Sequence, residues 1–262
     1  MYSFAEAGYR IGEININNFS PTDSWNCLGQ VADSKNHVLE QIDVITKTLI
    51  QIPVCEKDDF LYGYAAGSLL NAILARIVLG SDFPRAKKSI QTLTEIINHE
   101  EGLDHIAALL NKDTLRKEEF PCLESYFTFD KANSWHQRCV LEYLRGKLSV
   151  FKDDRLMRML SADNGDVFEA LFKEPCVCVL HPGDSHGLYE FANMLFLEQL
   201  FMHRHEFLLM EKLRNSQDEI PVTIMVGQNQ MKTLRGFVNT SPYLWECVSD
   251  CLANGVSILQ FT

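Results

Sequence analysis

The residue types best suited to chemistry gather late in the chain. Cys176-Val-Cys178-Val-Leu-His181, with His186 beyond it, offers two thiols and an imidazole. Zinc favours thiolate and imidazole ligands in tetrahedral sets, so Cys176, Cys178 and His181 are the metal-ligand candidates. The competing reading is structural. Cys176 and Cys178 alternate along an apolar run and so share one face of a strand, where cysteine serves as a small core side chain. Cys247 and Cys251 stand four apart on a helix with no second ligand pair nearby in sequence, and take the same core reading. His203-Arg204-His205-Glu206 reads as the polar end of a long helix, with cations near its C-terminal turns. Asp184, Ser185 and His186 carry the residue types of a hydrolase triad. No G-x-S-x-G elbow accompanies them, and neighbours within one loop rarely reach triad geometry. Glu56 to Asp59 and Lys117 to Glu119 read as solvated faces.

Nucleotide chemistry leaves a clearer trace, by what is missing. The sequence contains no G-x-x-x-x-G-K-[ST] and no G-x-G-x-x-G, so the backbone cradle that holds phosphates is absent from this chain. The nearest glycine pair, Gly63 and Gly67, lies inside a helix with no lysine after it and reads as helix packing. Ile220-Pro-Val-Thr-Ile-Met-Val-Gly227-Gln228 is the informative stretch. In P-loop motors a central apolar strand of this kind ends in Asp-Glu. The Asp holds magnesium's water and the Glu polarises the attacking water. Here Gly227 and Gln228 stand after the apolar run. Glycine offers magnesium nothing, and glutamine orients a water but cannot accept its proton.

The elements that must position these residues follow from periodicity. A strand is expected over 9–16, a helix over 36–52, a helix from Asp58-Asp59 to Gly80, and another from Pro84 onward. Residues 101–110 are expected as a short helix, 113–129 as irregular, 131–151 as a helix, and 153–160 and 166–172 as short helical turns. Pro175 to Leu180 is a β-rich run, 187–214 a long helix, 221–226 a central parallel strand, Pro242 to Asn254 a helix and 256–261 a last strand. No convincing strand lies between Cys55 and Phe172. The chain therefore reads as α/β, with a split sheet layer and a helical insertion.

Bulk composition is compatible with that. The chain has 262 residues, 46% of them apolar and 23% charged, which excludes wholesale disorder and allows one large core or two smaller ones. Twenty-four basic against 35 acidic residues give a formal charge of −11, which argues against direct, non-specific DNA binding. The eight cysteines are scattered through apolar runs and suit buried thiols in a reducing compartment. No signal peptide is visible, and no apolar run is expected to span a membrane, because Asn71 and Arg76 interrupt the longest one, Ala65 to Gly80.

The order of these segments resembles the motor domain of type IV secretion coupling proteins, the ATPases that link relaxase–DNA cargo to conjugative channels. Gly8-Tyr9-Arg10-Ile11 to Ile16, then Asp23-Ser-Trp-Asn26-Cys27-Leu28, is similar to the family's strand and Asn-Pro-Leu motif, with Cys27 in place of proline. Asp59-Phe-Leu-Tyr62, then Leu69-Leu70-Asn71-Ala72, resembles the Asp-Pro-Phe-Trp helix that opens the family's all-α domain. Val150-Phe-Lys-Asp153 to Ser161, then Val177 to Asp184, resembles its return to the sheet. Pro221 to Gln228, then Leu252 to Ile258, resembles the Walker B strand, its helix and the next strand.

The resemblance implies an incomplete RecA-like, P-loop-type sheet from residues 1–54 and 170–262, with an inserted all-α domain at 55–169. It also implies that the Walker A strand and loop would precede the chain's first residue, and that Gly227 and Gln228 replace the acidic Walker B pair. The expectation is a non-catalytic relative or fragment of a coupling protein, cytoplasmic, without catalytic residues or cofactor. It would act by binding a protein partner: a secretion-system component, a relaxase or a substrate protein. Two alternatives stand beside it. One is part of an ATP-dependent DNA-transfer motor whose P-loop half is missing from this chain. The other is a metal-binding regulatory protein using Cys176, Cys178 and His181.

Overall fold

A computed structural model of the chain describes residues 6, 10–14, 24–34, 36–52, 59–111, 113, 115, 116, 119, 121–162, 168, 172, 176–180, 190–214, 222–227, 241–254 and 256–261. It divides into two compact units: residues 26–163, and residues 1–25 together with 164–262. The sequence places the border at 54 and 169 instead. The helices over 27–50 belong with the helical unit because their apolar faces pack on its central helix.

The helical unit begins with α1 (Cys27–Asp33), whose Asn26 cap accepts a hydrogen bond from Gly29 N at 3.0 Å. Gly29 is needed there, since a Cβ would collide with the Asn26 side chain folded over it. Cys27 occupies the first helical position, the one place in a helix where proline is also well tolerated. α2 (Val38–Ile50) buries Ile42, Ile45 and Leu49 on its inner face. α3 (Asp59–Leu79) is the central helix and packs against α2. By length and composition Tyr62–Leu79 could cross a membrane, contrary to the sequence expectation. More than half of that stretch is buried, with Leu69, Leu70 and Ala72 to Val78 inside the core.

Beyond Gly80 the expected single helix from Pro84 is two elements. A 3-10 turn covers Arg85–Lys87, and α4 (Ile90–Ile97) starts afresh at Ser89, whose hydroxyl accepts from Thr92 N. α5 (Leu103–Leu109) follows a turn at Gly102. The stretch expected to be irregular contains α6 (Pro121–Asp130), which packs on α3 and buries Leu123, Tyr126 and Phe129. α7 (Ser134–Lys147) is capped by Asn133 and runs into a 3-10 turn over Leu148–Lys152. α8 (Asp154–Ser161) is capped by Asp153, which accepts from Arg155 N and Leu156 N.

The second unit holds the strands. β1 (Arg10–Ile14) pairs in parallel with β2 (Cys176–Leu180), Arg10 opposite Cys176 and Ile14 opposite Leu180. β3 (Val222–Gly227) pairs in parallel with β4 (Val256–Phe261), Val222 opposite Val256 and Gly227 opposite Phe261. Among the described residues the ladders are these two pairs, so the single sheet expected from the sequence is not drawn as one continuous ladder. Parallel partners require crossover connections. α9 (Glu190–Arg214) precedes β3, and α10 (Pro242–Ala253) joins β3 to β4 and packs on α9. Ser241 caps α10 by accepting from Leu244 N at 3.3 Å, and Pro242 sits at the first helical position.

Candidate functional site

The strand ends and the two helices of the second unit carry most of the residues singled out for chemistry. β3 is an apolar parallel strand, with Ile224 buried, and it ends on Gly227. The last position of that strand, where a magnesium-holding acid is expected in a P-loop motor, is therefore a glycine. Gln228 lies outside the described residues. Cys176 and Cys178 lie in β2, opposite Arg10 and Gly12, while His181, Asp184, Ser185 and His186 lie outside the described residues.

The end of α9 differs from expectation. His203, Arg204 and His205 do not form a solvated polar end: Arg204 and His205 are buried. The Arg204 guanidinium lies 5.4 Å from the Phe172 ring and 5.3 Å from the Phe207 ring, within cation–π range of both. His203 stacks on Phe168, with ring centroids 4.8 Å apart. His205 Nδ1 lies 3.0 Å from Asp250 Oδ2, and Asp250 also accepts from Asn254 Nδ2. This is a partly buried polar link from α9 to α10, where sequence separation hides the partner. Trp25 Nε1 donates to Gln199 Oε1 at 2.7 Å and its ring meets Phe196 edge-on, which ties residue 25 to the middle of α9.

Cys247 and Cys251 sit on the buried face of α10. Burial pushes the Cys247 thiol up to about 12, against a smaller lowering by a hydrogen bond with Tyr243. Metal ligation and nucleophilic attack both require thiolate, so Cys247 is a core residue at neutral pH. Cys251 Sγ donates to the Phe201 carbonyl at 3.6 Å and fills the same core. Cys27, Cys139, Cys247 and Cys251 are thiols rather than disulfides.

The helical unit holds a site that sequence reading misplaces. Glu119, read as part of a solvated face, is 2% exposed, and its Oε2 lies 2.9 Å from Arg76 Nη1. Arg76 also donates to both Asp82 carboxylate oxygens, at 2.8 and 2.9 Å, and through Nε to Leu109 O at 3.2 Å. Arg76 thus ties α3 to the α5 end and to the segment before α6. Gly80 makes room for it, because a Cβ there would run into the Arg76 guanidinium and carbonyl. The arrangement is a satisfied buried cation, not a reactive one.

No protein-family model matches the sequence, and no curated protein matches it in sequence. Among solved structures, the chain is similar to the bacterial conjugative coupling protein TrwBdeltaN70 in its unbound monoclinic form. The match covers 99% of this chain with a TM-score of 0.58 and 11% identity. It spans 57% of the length of that structure's chain. At this identity the likeness is one of fold.

Proposed function

We propose that this chain is a non-catalytic relative, or a part, of a type IV secretion coupling protein, and that it acts in the cytoplasm by binding protein rather than by turning over ATP. Gly227 carries the reading. An apolar parallel strand ends on a residue with no side chain, in a fold shared along almost the whole chain with a conjugative coupling protein. Magnesium-assisted phosphoryl transfer needs a carboxylate to hold the ion and a group to activate water. Gly227 supplies no carboxylate and Gln228 cannot take the proton.

A secretion component, a relaxase or a substrate protein is the partner class. The formal charge of −11 disfavours phosphate backbones as the main ligand. Tyr64 and Trp135 are 79% and 67% exposed on the helical unit, large aromatic side chains of the kind that anchor protein interfaces.

Purified protein incubated with ATP and magnesium should release no more phosphate than a protein-free blank. Turnover above that blank and abolished by chelation of magnesium would overturn the reading.

A second reading draws on the 57% coverage of the coupling-protein chain. The polypeptide would be one part of an ATP-dependent DNA-transfer motor whose P-loop lies in a separate segment. Mixing with a P-loop-bearing segment encoded beside it separates the two. The second reading expects a stable complex with ATPase activity, the first a complex at most.

A further inference from the structure

We propose that His99, Glu101 and His105 bind one divalent transition-metal ion of the zinc class. His99 and Glu101 lie on the turn between α4 and α5 of the helical unit and His105 in the first turn of α5, far in sequence from Cys176, Cys178 and His181. The proposal does not rest on the coupling-protein reading. Each residue offers one ligand atom, and these atoms lie within 4.8 Å of one another. Two imidazoles and a carboxylate are a set that zinc accepts, with water in the fourth position. Imidazole suits copper and nickel as well, so the chemistry names a class of ion rather than one element.

The backbone that carries the ligands is set in advance. Gly102 has φ +53°, a left-handed conformation that strains any residue with a Cβ, and it lets the chain reverse between Glu101 and Leu103. Gly102 N donates to His99 O at 3.0 Å. Arg145, reaching over from α7, donates Nε to Ile97 O at 3.0 Å and a second nitrogen to His99 O at 3.3 Å. Glu142 holds the same guanidinium at 2.7 Å. A clamped turn loses little further freedom when a ligand arrives.

The side chains are close but not yet arranged around an ion. The two imidazole rings stack with centroids 3.9 Å apart and planes inclined by 13°. His99 Nδ1 accepts from Glu101 N at 3.3 Å. Lone pairs in parallel ring planes do not converge on one point. Binding therefore turns the imidazoles about their side-chain torsions, and a nitrogen–metal bond can replace the long Glu101 N–H contact. The adjustment is local, because both rings are half-buried and Glu101 is exposed, while Ile96, Ile97 and Ile106 carry the burial of α4 and α5. A bound ion would join the end of α4, the turn and the first turn of α5.

The test uses the full chain, stripped with a chelator and titrated with Co²⁺ and then Zn²⁺. The expected result is one Co²⁺ per chain with visible ligand-field bands, displaced by Zn²⁺. His99→Ala and His105→Ala should each abolish the bands with unchanged helical circular dichroism. Outer-sphere changes at metal sites already cost about tenfold in affinity. Glu101→Gln should therefore weaken binding by at least about that factor, and the Cys176→Ser/Cys178→Ser pair should leave it unchanged. Hyperfine-shifted imidazole proton signals from two histidines in the Co²⁺-loaded unmutated protein give a readout that needs no variant. No binding by the unmutated chain overturns the proposal. So does binding that survives the double histidine change, or that disappears with the cysteine pair instead.

Discussion

Arg76 shows how much one side chain can hold in place. It is 5% exposed, and burying a charge costs several kcal/mol unless partners compensate it. Three groups do so, Asp82, Glu119 and the Leu109 carbonyl, and the guanidinium also lies 5.4 Å from the Phe83 ring. The two acids are not equivalent. The hydrogen bonds from Arg76 hold the Asp82 carboxyl below its ordinary range, so its contribution is present above that range and is lost as pH falls below it. Asp82 is largely solvated, and water screens that contribution to a small one. Glu119 is buried, and its contact with Arg76 is electrostatic, without an aligned N–H. Arg76→Ala would strand this carboxylate, and urea unfolding should report a loss of about 3–5 kcal/mol. Combining it with Glu119→Gln should cost less than the two single changes added together, because both remove one interaction. A single-variant loss under about 1 kcal/mol would mean that the network is not what holds this region.

At the scale of elements, helix starts and burial compete over the same groups. Cys27 stands at the first position of α1, where backbone N–H groups favour thiolate. Burial outweighs them and pushes the Cys27 thiol up to about 12. Tyr126 on α6 is also raised to about 12, by burial first and by Asp130 next. These groups sit above their unfolded values of 9.0, for thiols, and 10.0, for tyrosine. Their contribution is therefore complete below those values and is lost as pH rises towards 12. Alkaline titration should unfold the chain within that window. Native-state alkylation at pH 8, read by mass spectrometry, should modify half-buried Cys139 well before Cys27 and Cys247. Rapid labelling of Cys27 would mean that α1 opens locally.

The elements with one dominant pattern are legible in the sequence: α2 by its helical stripe, α3 by its apolar length, and β2, β3 and β4 by short apolar runs between turn residues. α6 is hidden because exposed Phe127 sits between buried Tyr126 and Phe129 and blurs the stripe. The 3-10 break before α4 is hidden because Ser89 acts as a cap only once the chain has turned. Glu119 and His205 are misread for another reason. Their burial depends on Arg76 and Asp250, partners that lie on other segments. At the candidate site, Gly227 is plain in sequence because a missing carboxylate needs no geometry to be noticed. The His99–Glu101–His105 grouping needs the turn at Gly102 before it exists at all.

At the scale of the whole molecule, the helical unit is one uninterrupted stretch of chain with its own core, whereas the other unit is assembled from two stretches. Residues 26–163 expressed alone should therefore give a helical circular dichroism spectrum and a cooperative thermal transition. A featureless, non-cooperative melt would show that this core needs the rest of the chain. Parallel pairing of β1 with β2 also orders events in time. Arg10 leaves the ribosome well before its partner Cys176, which follows only after the whole helical unit has been made. At about 5–20 residues per second, that interval is roughly ten to thirty seconds. Throughout it, β1 lacks β2, its ladder partner among the described residues, and an open strand edge is a template for pairing with other chains. Local contacts let the helices fold during the same interval, so the hazard falls on β1. Aggregation of this protein should therefore begin at β1 during synthesis, before its pairing with β2 is available to protect it.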